Sequence, residues 1–284
     1  MNEHEPRVAI VTGAGAGIGA ACALALSRVG HRVVVADIDQ ASAARVAAEI
    51  VAEGGEAIGV EVDIADEAQV RAMVAAAVDT FGGLDVLHNN AADTAEASIR
   101  GDVHVVDLDL DILDRAYAVN LRGTLMCCKY AIPYMVARGG GAIINTSTTS
   151  SMAGDLMLTS YGVTKAGVNA LTKYVATQYG KHGIRCNAIV PGLTLTPSVE
   201  RNLDPEMIAL YENNILSRSF ARPEDVAELV VFLAGAPEYI TGGMIHVNGG
   251  QLAHAPAYAA FLDRGWGVPA PTVPPAAAEE TNRG

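Results

Sequence analysis

The sequence predicts a doubly wound α/β fold: one mostly parallel sheet with helices on both faces, in a single domain. Three observations predict it. Short apolar runs of strand length alternate with longer amphipathic runs through most of the 284 residues. The first apolar run, 7–12, breaks into Thr12-Gly13-Ala14-Gly15-Ala16-Gly17-Ile18-Gly19 and then an alanine-rich helix, 20–29. Strand ends carry polar residues, Asp37, Asp63 and Asn90. A sheet of this kind gathers its ligands at the carboxyl ends of its strands.

Each element has a local cause. Val8-Ala9-Ile10-Val11 is apolar at every position, as a strand covered on both faces requires. The glycine turn after it lets the backbone approach a pyrophosphate, and the next helix points its positive end at that charge. A strand at 32–36 ends at Asp37. That is about twenty residues beyond the glycines, where an acid accepts hydrogen bonds from an adenosine ribose. A helix at 41–53 and a strand at 57–62 lead to Asp63 and Ile64. Asp66 and Gln69 have the spacing of a capping box for a helix ending at Phe81. Strand four, 84–87, runs into Asn89-Asn90-Ala91-Ala92. The stretch 94–110 is polar, acidic and aperiodic, and is expected as a loop beside the site.

A helix over 111–137 carries Asn120, and Gly139-Gly140-Gly141 stops it. Strand five, 142–145, opens into the hydroxyl-rich run Thr146-Ser147-Thr148-Thr149-Ser150-Ser151. A helix over 160–179 follows, with Val163, Ala166, Ala170, Leu171, Tyr174 and Val175 recurring at helical spacing. Strand six, 184–190, ends at Pro191-Gly192 and precedes a long excursion, 193–221. Pro223 opens a helix that runs to Ala234, and 244–247 is the last strand. No internal repeat or linker appears before about Ala253, so 1–252 reads as one domain, with 193–221 as its substrate-loop excursion. The extension 253–284 ends in a Pro-, Ala- and Glu-rich tail.

Composition narrows the partners. Half the residues are hydrophobic, enough for a sizeable core. A net charge of −13 counts against nucleic acid or an anionic membrane. No apolar run approaches the ~20 residues of a membrane span, and residues 1–7 lack a signal-peptide core. The four cysteines show no metal-ligand spacing, and Cys127 and Cys128 are adjacent, a poor disulfide geometry. The expectation is a cytoplasmic protein with reduced thiols and no metal.

The chemistry concentrates at Tyr161-x-x-x-Lys165. Positions i and i+4 are neighbours on a helix, so the ammonium can stand beside the phenol. A free phenol has a pKa of ~10, and lowering it by two to three units takes about 3–4 kcal/mol. A cation at ~4 Å and an effective dielectric of ~20 supplies about 4 kcal/mol. The pair is therefore expected to act as an acid/base at neutral pH, with the Tyr161 pKa lowered.

Taken in order, Thr12-Gly13-x-x-x-Gly17-x-Gly19, Asp63, Asn89-Asn90-Ala91, Asn120, Tyr161-x-x-x-Lys165 and Pro191-Gly192 resemble the short-chain dehydrogenase/reductases with a single Rossmann-like domain. The resemblance covers 7–251. It implies that Tyr161 gives the proton in reduction and takes it in oxidation. It implies that Lys165 lowers the Tyr161 pKa and bonds the nicotinamide ribose, while Asn120 holds a water in the proton relay. Gly13, Gly17, Ile18, Gly19, Asp37, Ile38, Asp63, Ile64, Asn90, Thr194 and Thr196, with Tyr161 and Lys165, would bind NAD. Within that set Asp63 would reach the adenine, Asn90 the adenosine side and Thr196 the carboxamide. The resemblance also implies a homodimer or homotetramer built through the helices bearing Asn120 and Tyr161.

The chain departs from the family pattern twice. Ala92 stands where the family usually has glycine. The family's catalytic serine usually lies thirteen residues before the tyrosine, which here is Thr148, with Ser147 and Ser150 as nearby alternatives.

The expected activity is NAD-dependent interconversion of a secondary alcohol and a ketone. The small-molecule substrate is expected to be apolar and bulky, given Met152, Leu156, Met157 and Met207 in the segments that would build its pocket, 94–110, 151–158 and 193–221. An NADPH-dependent 3-oxoacyl-type ketoreductase would carry a basic residue in the glycine loop and no acid at position 37; this chain has Ala16 and Asp37. A non-catalytic dinucleotide sensor would typically lack the tyrosine or the lysine, and both are present.

Overall fold

In the computed structural model, residues 6–268 are described. Strand β1 (Val8–Thr12) is followed by helix α1 (Gly17–Arg28), β2 (Arg32–Asp37), α2 (Gln40–Ala52), β3 (Ala57–Glu61), α3 (Glu67–Phe81) and β4 (Val86–Asn89). The second half adds β5 (Gly141–Thr146), helix α7 (Thr159–Tyr179), β6 (Ile184–Pro191) and β7 (Met244–Val247). The seven strands form one sheet in the order β3-β2-β1-β4-β5-β6-β7, every pair parallel. The predicted fold class is therefore the observed one. Strand order reverses between β1 and β4, and ligand crevices in open parallel sheets form at such a point.

The pleat assigns the core. Val8 and Ile10 of β1 pack on one face with Met73 of α3 and Val175 of α7. Ala9 and Val11 pack on the other, with Leu26 of α1 and Ile50 of α2. Alternate residues of a strand point to opposite faces, so a run apolar at every position is what two covered faces demand. All four cysteines are buried and free.

The structure departs from the expected elements where signals were short. The stretch 94–110 holds helix α4 (Glu96–Gly101), which carries an Arg100–Glu96 ion pair at i,i+4. The helix expected over 111–137 is α5 (Leu110–Ala116), a π-helical turn at Tyr117–Gly123, and α6 (Thr124–Ala137). The excursion 193–221 contains α8 (Pro197–Asn202) and α9 (Pro205–Glu212), each opened by a capping side chain and a proline. Helix α10 (Pro223–Gly235) begins at Pro223 as expected. The Asp66 box is only half closed: Asp66 caps Ala68 and Gln69, but the Gln69 side chain accepts from the Asp63 amide instead, at 2.9 Å.

The chain divides into two units after Leu252. Within the second, the short helix α11 (Tyr258–Asp263) carries Phe261, which stacks on Trp266 at 5.4 Å between ring centroids. The expected tail over 269–284 lies outside the described residues. Among the described residues no helix is long and apolar enough to cross a membrane, and no cluster of His, Cys, Asp and Glu could hold a metal ion.

Candidate active site

The carboxyl ends of β1, β2, β4 and β5 bring the predicted residues to one edge of the sheet. The glycine turn leaves β1 and enters α1 at Gly17, with no capping side chain and no acidic residue in the first turn. Its opening amides are thus left for another acceptor, the arrangement that binds anions. Two glycines are sterically compelled. Gly13 has φ +62, and a Cβ there would stand 2.8 Å from Ala91 Cα; at Gly19 it would stand 2.1 Å from the Gly13 carbonyl oxygen.

Neighbours hold this cradle in shape. Asn90 Nδ2 donates to the Thr12 and Gly13 carbonyls, at 3.1 Å each. Both amide protons are therefore spent on the loop, so Asn90 shapes the cradle from behind. Thr12 Oγ1 accepts from the Asn90 and Ala91 amides, 3.1 Å each. Ala92 causes no strain: Leu158 is the only non-glycine residue with positive φ among those described.

Asp37 ends β2 with Oδ2 accepting from the Gly15 amide at 2.8 Å. Arg45 of α2 grips the same turn from outside, Nη2 donating to the Gly15 carbonyl at 2.7 Å. Ile38 is exposed beside Asp37. Asp63 keeps its carboxylate at the rim, 3.6 Å from Arg115. The Ile64 side chain differs from expectation. It is buried in the core against the π-helical turn at Gly123, which leaves only its main chain to face a ligand.

The Tyr161–Lys165 pair lies in the first turns of α7. Lys165 is 1% exposed, and its Nζ donates to the Thr146 carbonyl at 2.7 Å. Nζ stands 5.7 Å from the centroid of the Tyr161 ring. Among the described residues no protein group hydrogen-bonds the Tyr161 hydroxyl. Burial pushes the phenol up to about 12, and burial pushes the lysine down to about 8. The expected lowering of the Tyr161 pKa by Lys165 is thus not met by the protein groups alone. Desolvation acts against both charged forms, and the ammonium is drawn to a backbone carbonyl.

His88, absent from the predicted set, sits under this pair. It is fully buried in β4, with Nε2 3.0 Å from Thr146 Oγ1. Burial, then the Lys165 charge, pulls its pKa down to about 3, so it is neutral. Thr146 therefore joins His88 through its hydroxyl and Lys165 through its carbonyl.

Asn120 lies in the π-helical turn, and both ends of its buried side chain meet protein. Oδ1 accepts from the Asp93 amide at 2.8 Å, and Nδ2 donates to Thr164 Oγ1 at 3.1 Å. Its carbonyl accepts from Thr124 Oγ1 at 2.8 Å. Thr164 in turn donates back toward the Ser160 and Tyr161 carbonyls. The π-helical turn is thereby fastened to the Tyr161 turn. No helical periodicity in the sequence announces it.

The three candidate hydroxyls differ in environment. Ser147 is buried and pairs with Ser151 Oγ at 2.9 Å. Thr148 is half-buried, and its Oγ1 accepts only a long 3.4 Å bond from the Ser150 amide. The Ser150 carbonyl packs against Gly162 on the inner face of α7. Across the cradle, Thr194 is buried with Oγ1 donating to the Gly192 carbonyl. Thr196 caps α8 by accepting from Val199 at 3.2 Å, and its methyl faces Gly17.

The comparisons agree with this geometry. The family model described as Enoyl-(Acyl carrier protein) reductase matches residues 13–251. A short-chain type dehydrogenase/reductase of Bradyrhizobium diazoefficiens is 48% identical over 260 residues, covering 91% of this chain and 92% of its own. The chain belongs to the short-chain dehydrogenase/reductase family. A 7alpha-hydroxysteroid dehydrogenase of Bacteroides fragilis is 37% identical, covering 90% of this chain and 98% of its own. Among solved structures, a 7α-hydroxysteroid dehydrogenase complexed with NADH and 7-oxo glycochenodeoxycholic acid superposes with a TM-score of 0.81 at 30% identity, covering 87% of this chain and 94% of that one. The chain is accordingly an oxidoreductase of the NAD(P)-linked class. The glycine cradle, the uncapped start of α1 and Asp37 fit a dinucleotide.

Proposed function

We propose that the protein is an NAD-dependent dehydrogenase that interconverts a cyclic secondary alcohol and its ketone, with Tyr161 as the acid/base. The observation that carries the reading is the pair of half-buried Tyr161 and buried Lys165 in the first turns of α7. Gly13, Gly17, Ile18, Gly19 and the amides opening α1 would hold the pyrophosphate. Asp37 and Ile38 would hold the adenosine ribose, the Asp63–Ile64 strand end the adenine, and Thr194 and Thr196 the carboxamide end. When bound, NAD supplies the hydride acceptor.

The chain's own residues move the proton. Tyr161 takes it from the alcohol hydroxyl in oxidation and returns it in reduction. Lys165 would stabilise the phenolate and bond the nicotinamide ribose, and Asn120 would hold a water in the proton relay. The substrate reading draws on exposed apolar side chains at the mouth, Met152, Leu156 and Met157 after β5 and Leu210 on α9. The hydroxysteroid relatives support a bulky ring. The exposed Leu125 and Tyr174 on α6 and α7 support a homodimer or homotetramer through those helices. The test is a screen of cyclic and polycyclic secondary alcohols with NAD, following absorbance of the reduced cofactor. A folded, NADH-binding protein that turns over none of them would favour the sensor reading instead.

The cofactor preference is expected to favour NAD over NADP by at least tenfold, about 1.4 kcal/mol in kcat/KM. Asp37, which would hold the ribose, is fixed by its bond from the Gly15 amide. A 2′-phosphate there would set two anions together, at up to about 4 kcal/mol per charge pair before screening. Arg45 does not offset this, because it is turned onto the Gly15 carbonyl. Equal kcat/KM for the two cofactors would refute the preference.

Thr148 is proposed as the hydroxyl that polarises the substrate carbonyl. It lies thirteen residues before Tyr161 and is freer than Ser147, which is buried and paired with Ser151. Thr148→Ala is expected to lower kcat by ~10²–10³, the usual cost of losing one such donor. Thr148→Ser should retain most activity, since the hydroxyl has the same hydrogen-bonding capacity. Kinetics of alanine variants at 147, 148 and 150, with cofactor affinity checked, rank the three. A near-normal kcat in Thr148→Ala removes it from the role.

A further inference from the structure

Helix α7 lacks a cap of its own. Its N-cap residue is Leu158, in a left-handed conformation (φ 60, ψ 40), with a side chain that cannot accept a hydrogen bond. Helices leave their first amides unpaired unless another acceptor is supplied. Here the acceptor comes from a distant segment. Asp102, just past α4, accepts from the Ser160 amide through Oδ1 at 2.7 Å and from the Tyr161 amide through Oδ2 at 2.9 Å, across 58 and 59 residues of chain. The Asp102 carbonyl also accepts from the Leu158 amide at 2.8 Å, and the Val103 carbonyl accepts from Thr159 Oγ1 at 2.8 Å. Four consecutive residues, 158–161, are thereby tied to two, 102 and 103.

The carboxylate is 4% exposed, and among the described residues no lysine, arginine or histidine pairs with it. Its charge is held by backbone amides and by the positive end of α7. A group buried on such terms serves a fixed geometry, because leaving either partner unsatisfied is costly. The residue it fixes is Tyr161 itself, through the main-chain nitrogen.

We propose that Asp102 is a positioning residue for the reaction: it caps the Tyr161 helix from the 94–110 segment and sets where the phenol stands over the substrate. This rests on Tyr161 being the acid/base. Asp102 touches neither substrate nor cofactor; it acts through the Tyr161 backbone. A consequence is that the 94–110 segment and the turn at 158–161 are held as one unit through residues 102 and 103.

The test uses the full-length enzyme with Asp102→Asn and Asp102→Ala, and Tyr161→Phe in parallel. Four quantities are read: kcat, KM for the alcohol, NADH affinity by fluorescence, and hydrogen exchange of the segments 96–103 and 158–162. Misplacement of a reacting group by about an ångström costs up to ~10²-fold in rate. Asp102→Ala is expected to lower kcat by about 10–100-fold, to leave the NADH Kd within about twofold because the cradle is held by Asn90 and Thr12, and to speed exchange in both segments together. Asp102→Asn keeps the size and one acceptor oxygen, so it should fall between wild type and Asp102→Ala; it carries the test if the alanine variant does not fold.

A folded Asp102 variant with normal kcat would overturn the proposal. So would a loss of kcat matched by an equal loss of NADH binding, or exchange that quickens in only one of the two segments. Activity surviving in Tyr161→Phe would instead strike the reading on which the proposal rests. The exchange measurement reads the cap independently of turnover.

Discussion

Tyr161→Phe is expected to lower kcat by about 10³–10⁴-fold, the upper part of the range for losing a positioned acid/base, while the fold and NADH binding stay intact. The substitution removes one oxygen, and among the described residues that oxygen has no protein partner. The ring keeps its place, since its backbone nitrogen remains bonded to Asp102. Thermal stability should change little, because Tyr161 is half-buried and its hydroxyl makes no bond to protein that the substitution would break. The pH dependence gives a second readout. Oxidation needs the basic form of the pair, so kcat/KM for the alcohol should rise with pH. Tyr161 is pushed up to about 12 and Lys165 down to about 8. The apparent pKa of that rise therefore belongs to the two groups jointly. In Tyr161→Phe the pH-dependent limb should disappear along with most of the rate. Retention of kcat within tenfold would show that another group handles the proton.

The parts of this design that were legible in the sequence are those with short-range causes. Strands covered on both faces read as Val8-Ala9-Ile10-Val11, glycines at 13, 17 and 19 marked a close backbone approach, and a Tyr–Lys pair at i,i+4 marked one helix face. What escaped depends on long-range pairing. Asp102 reaches its partners across 58 residues, and nothing local distinguishes it from the other acids of 94–110. His88 sits in an apolar strand, where only the fold reveals that it meets Thr146. The π-helical turn at 117–123 has no periodicity of its own, and Asn120 within it bonds Asp93 and Thr164, 27 and 44 residues away. Helices α8 and α9 are a different case. Thr196-Pro197 and Asp204-Pro205 are cap-plus-proline start signals that were present in the sequence, but helices of six and eight residues offer too few turns for a periodic stripe.

The Tyr161 pKa departs from the expectation of spacing for a related physical reason. Spacing places the ammonium beside the ring but says nothing of desolvation. In the folded chain Lys165 Nζ is satisfied by the Thr146 carbonyl, and burial shifts both groups against their charged forms. The glycine turn, Asp37 and Asn90 nonetheless follow the carboxyl ends of β1, β2 and β4, where the sequence placed them.

That buried lysine leads to the second large effect. Lys165→Met is expected to abolish activity and to stabilise the fold at neutral pH. Lys165 is 1% exposed, and among the described residues no carboxylate pairs with it. Burial lowers its pKa to about 8 in the folded chain, against ~10.4 in the unfolded chain. The sign follows from proton counts. Below pH 8 both states hold the proton, and the folded state bears the full cost of the buried charge, about 3 kcal/mol. Between about pH 8 and 10.4 the unfolded chain binds more protons than the folded one, so wild-type stability from this group rises across that window. Methionine fills nearly the same volume without a charge. It forfeits the bond to the Thr146 carbonyl, a loss of about 1–2 kcal/mol. The net expectation at pH 7 is a gain of about 1–2 kcal/mol, or a rise in Tm of about 2–8 °C for a domain of this size. Paired melting curves at pH 7 and pH 9.5 decide it. The advantage of Lys165→Met should shrink or reverse at pH 9.5, where the wild-type lysine is already neutral in the folded state. A variant less stable than wild type at pH 7, or an advantage unchanged with pH, would show that Lys165 is retained for structure. A stable, inactive Lys165→Met would show that the fold tolerates this buried cation only for what it does beside Tyr161.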